Sequence, residues 1–320
     1  MSEYINNCYD QDINMDLTAI ILTFNEEKHI ARCIKSLQPF ARDIFIIDSF
    51  STDKTIEIAQ SLGAKVYQNP WPNNHSIQLN WGLQNCPIKT KWIMRMDADE
   101  YVTPDLVKEI QQKLDTLESN ITGIYLKCRV YFMDTWIKHG GYYPLWLLRL
   151  WQHNKGFCEA RWMDEKIKLT EGHAIYFDND IVDHNLKGLT FWTDKHNGYA
   201  TREMVSVLNT VYGFMPCDEI NANFFGSQAE RKRWLKLKYA QLPLFLRPFI
   251  YFIYRYFFLL GFLDGKPGLI WHFLQGFWYR FLVDAKINEI YFKAGKNKEA
   301  ILKVLKTEYG IDLTIQQTKD

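Results

Sequence analysis

The first hundred residues of the chain alternate between short apolar runs and segments of helical periodicity, and this alternation restricts the fold more than any other feature. Leu17–Thr23 is almost entirely apolar, which is typical of a strand buried on both faces of a sheet. Asp43–Asp48, Ala64–Tyr67 and Trp92–Met96 continue the series, with helical spacing of apolar residues between them. Strands that alternate with helices predict an α/β fold in which a mostly parallel sheet is flanked by helices.

Residues that favour helix ends add detail to this prediction. Asn25 follows the first strand and has a side chain that caps helix N-termini, so we expect it to cap the next helix. A helix over about 53–62 should end at Gly63, because glycine is favoured just beyond a helix C-terminus. Thr103 followed by Pro104 predicts a further helix start.

The pattern changes twice further along the chain. From Gly123 to about Tyr176 the predicted strands are joined by longer connections rich in aromatic residues, which indicates a mixed continuation of the sheet. From about Leu189 the pattern is helical. We therefore predict a loose N-terminal leader, an α/β domain and a helical C-terminal region, over residues 1–16, 17–200 and 201–320.

Composition limits the partners of the chain. Lys and Arg total 38 and Asp and Glu total 37, whereas proteins that neutralise nucleic-acid phosphates are usually basic. We therefore expect no nucleic-acid partner. Aromatic residues make up 16% of the chain, which predicts either an unusually aromatic core or a surface that meets sugars, bases or a membrane.

The six cysteines and the N-terminal residues indicate a reducing compartment. No two cysteines form a CxxC pair, which argues against a structural zinc site, and several fall in predicted helices and strands, where buried free thiols are common. The even number also permits disulfides. The first 16 residues are acidic and polar, unlike a signal peptide. We expect a location in the cytoplasm or on the cytoplasmic face of the inner membrane.

Polar and acidic residues follow three predicted strands at the point where each ends. Thr23, Asn25 and Glu26 follow the first strand, and Asp48 ends the second. The fourth ends in Asp97-Ala98-Asp99-Glu100, whose carboxylates repel one another unless a cation or a donor lies among them. Ligands of open parallel sheets bind at this edge.

Carboxylate oxygens suit Mg²⁺ or Mn²⁺, and such an ion usually also binds substrate phosphates. The chain has neither a GxGxxG nor a GxxxxGK[ST] motif, so phosphates would have to be held by the metal and by side chains. A purely structural interpretation stays open, in which Asn25 and Ser51 cap helices and Asp48 is a turn residue.

The ordered motifs LTFNEE, IIDSFSTDKT and RMDADE resemble those of the family 2 glycosyltransferases, which have the GT-A fold. They are most similar to bacterial lipopolysaccharide core and cell-surface polysaccharide transferases, over about residues 17–200. The resemblance implies an inverting, metal-dependent enzyme that moves a sugar from a nucleotide-diphosphate sugar, a UDP-sugar by preference, to a glycan or lipid-linked acceptor. Many relatives have a second acidic residue where this chain has Ser49. This difference concerns the identity of the donor's nucleobase and not the fold.

The same resemblance implies a role for each candidate site residue. Nucleotide-sugar binding falls to Thr23, Asn25, Glu26, Asp48, Gln78, Asn80, Asp97 and Ala98. Asp99 is the principal ligand of a Mn²⁺ or Mg²⁺ ion, with Asp97 and His184 as further ligands.

The catalytic pair implied by the resemblance is Asp164-Glu165 in the run RWMDEKI, with Glu165 as the base that deprotonates the acceptor. The alternatives are an acidic turn paired with Lys166 or Lys168, a structural His184, and a polar helix face for Gln78 and Asn80.

The C-terminal region contains a long aromatic segment, residues 239–283. Arg247, Arg255 and Arg280 interrupt it before an apolar run long enough to span a membrane develops. Aromatic faces with interspersed cations predict helices that lie in a membrane interface. The alternative is a helical hairpin packed on the α/β domain or on a second copy of the chain.

Two other functions stay open from sequence. The acceptor could be a polyprenyl phosphate on the same fold. The chain could also be a catalytically inactive, membrane-associated module that retains the nucleotide pocket, although its intact Asp97, Asp99 and Glu165 argue against this.

Overall fold

The computed structural model describes residues 15–72, 74–159, 165–214, 225 and 228–313. All but the last two residues of the predicted leader lie outside these ranges. The chain divides into two compact units. The first contains the described residues up to Lys187 together with Leu263–Gly268, and the second contains those of Gly188–Phe262 and from Leu269 onward.

The first unit is built on a mixed sheet. Its strands are β1 (Met15–Thr23), β2 (Ala41–Asp48), β3 (Lys65–Gln68), β4 (Trp92–Asp97), β5 (Glu100–Val102), β6 (Ile121–Phe132), β7 (Thr135–Trp136), β8 (Leu145–Gln152) and β11 (His173–His184), and a separate hairpin is formed by β9 (Gly156–Cys158) and β10 (Ile167–Leu169).

The strand order is β3-β2-β1-β4-β8-β6-β11-β5, with β7 paired to β6. Strands β1 to β4 are parallel, β11 is parallel to β6, and β8 and β5 run against their neighbours. The predicted α/β class with a mostly parallel sheet flanked by helices is confirmed. The carboxyl ends of β1, β2, β4, β6 and β11 therefore lie along one edge.

Helices α1 (Ile30–Leu37), α2 (Thr55–Ser61), α3 (His75–Asn85) and α4 (Pro104–Lys113) connect the strands, and a 3-10 turn over Leu114–Thr116 follows α4. Gly63 follows α2 with φ +81°, as predicted, and the Thr103 hydroxyl caps α4 by accepting the amide of Leu106 at 3.3 Å. The predicted helix cap at Asn25 is wrong. Helix α1 begins at Ile30, while Asn25 has φ 54°, a left-handed conformation that its short carboxamide tolerates.

Strand β1 is buried on both faces, as its apolar run predicted. Leu17 and Ile21 pack in one core cluster with Ile34 of α1, and Ile20 packs in another with Leu79 of α3. Helix α3 approaches the sheet closely at Gly82, where an added Cβ would lie 2.8 Å from Cγ1 of Ile47. This two-sided packing fixes the strand ends that carry the candidate site.

The second unit is helical. Its helices are α5 (Leu189–Tyr212), α6 (Gln228–Gln241), α7 (Leu246–Ile253), α9 (Tyr279–Ala294) and α10 (Lys298–Tyr309). Two π-helical segments cover Tyr254–Phe258 and His272–Trp278. The residues that the first unit takes from this part of the chain, Leu263–Gly268, lie in a 3-10 turn (Gly261–Asp264) and in α8 (Gly265–Trp271). Helix α5 packs along α9 through buried apolar residues that include Leu208 and Ile287.

None of the helices in the described ranges is both long and apolar enough to cross a membrane alone. One pair, Leu246–Phe258 and Gly261–Ala294, satisfies the length and composition criteria jointly and is bent by 72°.

Candidate active site

The ends of β1 and β2 are joined by a buried carboxylate. Thr23 and Asp48 are register partners, and the Thr23 hydroxyl donates to Oδ1 of Asp48 at 2.8 Å. The Ser51 hydroxyl also donates to Oδ1, and the Ser51 amide donates to Oδ2 at 2.8 Å. Because Asp48 is fully buried, these donors hold its carboxylate in one orientation. The structure thus brings together two of the residues expected at the nucleotide pocket.

The loops that follow β1 and β2 are also joined to each other. The amide of Asn25 donates to the Ser51 hydroxyl at 2.8 Å, and its side-chain oxygen accepts the amide of Thr52 at 2.8 Å. The amide of Glu26 donates to the Thr55 hydroxyl at 2.7 Å. Asn25 therefore joins the two loops through its own amide and its side-chain oxygen.

Glu26 belongs to a charged cluster that links the loop after β1 to the segment after β11. Its Oε2 lies 2.6 Å from Nδ1 of His29, and its Oε1 lies 2.8 Å from Nζ of Lys187. Nε2 of His29 accepts the amide of Leu186 at 2.7 Å, so the proton of this buried ring is on Nδ1. Burial would raise the pKa of Glu26, but the hydrogen bonds from His29 and Lys187 outweigh it and lower the pKa.

The first carboxylate of the Asp-Ala-Asp sequence is held by two arginines. Nη2 of Arg149 lies 3.0 Å from Oδ2 of Asp97, and Nη2 of Arg95 lies 3.4 Å from Oδ1. Arg149 also contacts Oε1 of the buried Glu100, whose Oε2 accepts the amide of Asp97 at 2.9 Å. Ala98, between the two aspartates, is buried beside these contacts.

The two carboxylates near Arg149 differ in acidity. Burial would raise the pKa of Asp97, but the charges of Arg149 and Arg95 hold it well below its usual range. Burial raises the pKa of Glu100 to about 8, against the opposing charge of Arg149 and with the help of Asp97 and Asp183. Asp97 is therefore the stronger acid of the two.

Asp99, the second carboxylate, lies against the end of β11. The amide of His184 donates to the Asp99 carbonyl at 3.1 Å, and the side-chain amide of Asn185 donates to Oδ2 of Asp99 at 2.8 Å. Arg32 donates to the carbonyls of both Asp99 and His184. The backbones of Asp99 and His184 therefore lie together and are joined by Arg32, while the shared metal ion expected of the two side chains stays a prediction.

Both ring nitrogens of His184 have partners. Nε2 lies 2.9 Å from Oδ1 of Asp134, and Nδ1 lies 3.3 Å from Nη1 of Arg32. Burial and the charge of Arg32 lower the pKa of His184, so the ring is neutral near pH 7, with its proton on Nε2 and directed at Asp134.

The donor set at this edge fits a divalent cation with few protein ligands. Across the described ranges, no cluster of three or more His, Cys, Asp or Glu side chains has the geometry of a metal site. Asp99 carries a half-buried carboxylate and no arginine contact to that group is present among the described residues. Asp97 already faces two guanidinium groups, which would repel a cation. An ion held by Asp99, water and substrate phosphates fits this arrangement better than a cage that includes Asp97 and His184.

Gln78 and Asn80 are used inside the first unit. Gln78 is fully buried, donates to the Ser49 hydroxyl at 3.1 Å and accepts from Asn69 at 2.7 Å. Asn80 donates to the carbonyl of Cys158 at 2.8 Å and accepts its amide at 3.0 Å. Asn80 therefore connects β9 to α3 by hydrogen bonds. The contacts with the diphosphate that we expect of Gln78 and Asn80 stay predictions.

The predicted catalytic pair belongs to the segment of the sequence between β9 and β10. Asp164 lies outside the described residues, whereas Glu165 is described and half-buried, next to β10. Glu165, Asp97 and Arg95 all influence the pKa of Cys158, which burial raises to about 11. Lys168, a partner considered for the acidic pair, contacts Glu159 at 2.9 Å.

Sequence reasoning missed several polar residues that organise this edge, namely Arg32, His29, Asp134, Arg149 and Lys187. Their partners lie far away along the chain, so no local motif marks them. The signal available for Arg149 was a charged residue in the middle of an otherwise apolar strand.

Comparison with known proteins identifies a family and several relatives of this chain. The family model described as Glycosyl transferase family 2 matches residues 18–184. An uncharacterized glycosyltransferase of Rickettsia bellii is 28% identical over 311 residues, which are 95% of this chain and 96% of the relative. The lipopolysaccharide core biosynthesis glycosyltransferase LpsC of Rhizobium meliloti is 31% identical over 124 residues, 37% of this chain and 44% of LpsC. The crystal structure of S. aureus TarS 1-349 has a TM-score of 0.39 and 12% identity, and the match covers 86% of this chain and 92% of that one.

Proposed function

The chain belongs to glycosyl transferase family 2, as its motifs predicted, and from this premise we propose that it transfers a sugar from a UDP-sugar to a glycan or lipid-linked acceptor. The similarity to LpsC supports lipopolysaccharide or surface polysaccharide biosynthesis as the setting. The observation that carries the proposal is the convergence of the ends of β1, β2, β4 and β11. They bring Thr23, Asp48, Asp97 and Asp99 to one edge of the sheet.

The donor would bind along this edge with its nucleotide near Thr23 and Asp48 and its diphosphate toward Asp99. A Mn²⁺ or Mg²⁺ ion on Asp99 would neutralise the charge of the leaving diphosphate. Arg95 and Arg149 add protein cations beside Asp97, and Arg32 fixes the backbone of Asp99.

The chemical step we propose is a single displacement with inversion. Glu165 takes the proton of the acceptor hydroxyl, and the hydroxyl oxygen attacks the anomeric carbon. The bond from that carbon to the diphosphate oxygen breaks, and its electron pair leaves with UDP. The half-buried position of Glu165 beside β10, the strand that pairs with β9, supports this role.

We also propose that the helical unit attaches the enzyme to the cytoplasmic face of a membrane without crossing it. Helix α7 and the π-helical segment after it expose a stripe of large apolar side chains, which includes Phe249, Phe257 and Phe258. An apolar stripe that binds a membrane surface would bring the enzyme close to a lipid-linked acceptor. A polyprenyl phosphate is also held in a membrane, and it is therefore the second candidate for the acceptor. The buried free thiols of the four described cysteines, Cys33, Cys86, Cys128 and Cys158, are compatible with a reducing compartment.

The deciding experiment is calorimetric titration of the full chain with UDP, with and without Mn²⁺, followed by a hydrolysis screen over UDP-sugars. Metal-dependent binding of UDP and hydrolysis of one UDP-sugar are expected. Binding without hydrolysis or transfer would favour an inactive nucleotide-binding module. Failure of UDP to bind would contradict the proposal.

A further inference from the structure

One face of β6 forms an aromatic and cationic surface that the proposed donor site does not use. Alternate residues of β6 point into the core, among them Ile124, Leu126 and Cys128, while the residues between them are partly exposed. We call this the β6 surface. Its members come from β6, β7, β8, β11 and the loops between them, and they are Tyr125, Lys127, Arg129, Tyr131, Lys138 and the rings of Trp136, Tyr143, Trp146 and Tyr176.

The rings of the β6 surface form two groups, which are linked by Lys127, since its Nζ lies 6.0 Å from the centroid of Tyr143 and 5.8 Å from that of Trp146. Tyr125 and Tyr176 stack with centroids 4.9 Å apart, and Trp146 meets Tyr176 edge-on at 4.8 Å. Trp136 meets Tyr143 edge-on at 5.0 Å. Tyr176 keeps 57% of its surface exposed, so these rings are not a closed core. The electron-rich faces of aromatic rings attract the weakly positive C–H groups that line one side of a sugar ring.

Three cations stand over these rings. Nζ of Lys127 lies 5.8 Å from the centroid of Trp146, the Arg129 guanidinium lies 4.8 Å from Trp136, and Nζ of Lys138 lies 5.4 Å from Trp136. At these distances each cation is attracted to the face of a ring.

Only Arg129 among these cations has an acidic partner within the described ranges. Its Nη2 lies 2.6 Å from Oδ2 of the buried Asp180, whose Oδ1 accepts the Tyr143 hydroxyl at 2.9 Å. Lys127 and Lys138 therefore leave the β6 surface with two positive charges that no described carboxylate balances.

The β6 surface leads to the candidate active site. Tyr131, near the end of β6, is the register partner of His184, and their rings are 5.3 Å apart. His184 in turn donates its amide to the Asp99 carbonyl. At about 3.3 Å per residue, the six steps from Tyr125 to Tyr131 span roughly 20 Å. This length accommodates several sugar units that end beside Asp99.

We propose that the β6 surface binds the acceptor as an anionic oligosaccharide. Its sugar rings would pack on the aromatic side chains, and its carboxylate or phosphate groups would pair with Lys127 and Lys138. This inference rests on the proposed glycosyl transfer and names the class of acceptor. The aromatic rings of this surface, its excess positive charge and its continuity with the catalytic edge all favour a charged glycan over a neutral one.

The test measures binding of defined probes to the full chain by calorimetry. Trigalacturonate is compared with its neutral methyl ester, and maltotriose phosphate is compared with maltotriose, so that carboxylate and phosphate recognition are separated. The test variant carries Lys127→Gln and Lys138→Gln. The control carries Lys91→Gln and Lys65→Gln, two lysines of the same unit that also stand over rings, those of Trp92 and Phe45. UDP binding is measured on every sample.

We expect at least one anionic probe to bind about tenfold tighter than its neutral counterpart. The test variant should lose about fivefold or more of that affinity, as two partly exposed ion pairs would supply, and the control should not. Equal affinity for charged and neutral probes, no binding of any probe, or an unchanged preference in the test variant would each overturn the inference. Failure of the wild-type protein to bind UDP would instead contradict the proposed function.

Discussion

Arg149 on β8 and Asp97 at the end of β4 form an ion pair, with Nη2 of Arg149 3.0 Å from Oδ2 of Asp97. The same guanidinium contacts Glu100, which is 3% exposed. A single buried cation thus orients the first carboxylate of the Asp-Ala-Asp sequence and compensates a second carboxylate beneath it. The energetic consequence is that the arginine cannot be removed alone, because its loss takes a counterion from Asp97 and leaves the buried carboxyl group of Glu100 without its partner.

We expect Arg149→Met to lower the free energy of unfolding by about 3–5 kcal/mol, the usual result of breaking a buried pair from one side. Urea unfolding followed by tryptophan fluorescence measures this. Adding Glu100→Leu should recover most of the loss. Arg42→Ala is the surface control, since Arg42 pairs with Asp16 while both side chains are at least 40% exposed, and it should cost no more than about 1 kcal/mol. Equal effects of Arg149→Met and Arg42→Ala would contradict the buried-pair account.

Asp99→Asn should abolish transfer and remove the metal dependence of UDP binding. The amide keeps the shape of the carboxylate but has no charge with which to hold a cation beside the diphosphate. Loss of comparable electrostatic groups costs about 10²–10³ in rate. Calorimetry with UDP and Mn²⁺ and a transfer assay provide the measurement, with the exposed Asp115→Asn as the control. Near-normal metal-dependent transfer by the Asp99→Asn enzyme would show that the site is assigned wrongly.

Glu165→Gln should preserve UDP binding and lower transfer by about 10²–10⁴, the range for loss of a general base. The matched control is Glu171→Gln, a solvent-exposed glutamate that follows β10 and contacts Lys155 at 3.2 Å. Asp164→Asn is measured in parallel. If Asp164→Asn is inactive while Glu165→Gln transfers normally, the base is Asp164.

The strand ends at this site were predictable from sequence, whereas the contacts that fix them were not. Apolar runs and turn residues marked the ends of β1, β2 and β4, because buried strands and helix ends have local signatures. Arg149, Arg32 and His29 act through partners 49 to 157 residues away in the chain, and such contacts depend on the order of strands in the sheet.

Asn25 shows the same limit at short range. Asparagine suits two roles here: a cap at the first turn of α1, and a left-handed turn whose side chain accepts the amide of Thr52. Which role Asn25 takes depends on the position of the loop after β2. The antiparallel insertion of β8 between β4 and β6 was likewise not visible from a strand pattern alone.

His196 should make the helical unit less stable in acid. Burial lowers its pKa to about 4, and its Nδ1 donates to the Trp192 carbonyl at 2.8 Å while its ring stacks on the indole. The unfolded histidine binds a proton below about pH 6.5, and the folded one does so only below about pH 4. The neutral ring therefore makes its full contribution to the free energy of unfolding above pH 6.5. This contribution is lost as the pH falls toward 4, and the total loss is about 3 kcal/mol.

The measurement is urea unfolding between pH 4 and pH 7, with His196→Phe as the comparison. Phenylalanine keeps an aromatic ring against Trp192 and cannot be protonated, so the slope of stability with pH should be smaller in this variant. An identical slope in the wild type and His196→Phe would exclude His196 as its source.

The exposed stripe of α7 and the following π-helical segment should hold the protein on a membrane surface. Phe249 on α7 and Phe257 and Phe258 on the π-helical segment are 49%, 54% and 73% exposed. Each should add about 1–2 kcal/mol to attachment when its ring enters the interface. Replacing all three with serine should therefore weaken binding at least about a hundredfold. Phe292→Ser is the control, because Phe292 is 89% exposed on α9 outside the stripe.

Flotation with vesicles of phosphatidylcholine and phosphatidylglycerol measures this attachment. High salt should weaken the attachment only partly, since apolar insertion is not screened. A wild-type protein that does not float, and that is dimeric in solution while the triple variant is monomeric, would assign the stripe to a second copy of the chain and remove the main support for a lipid-linked acceptor.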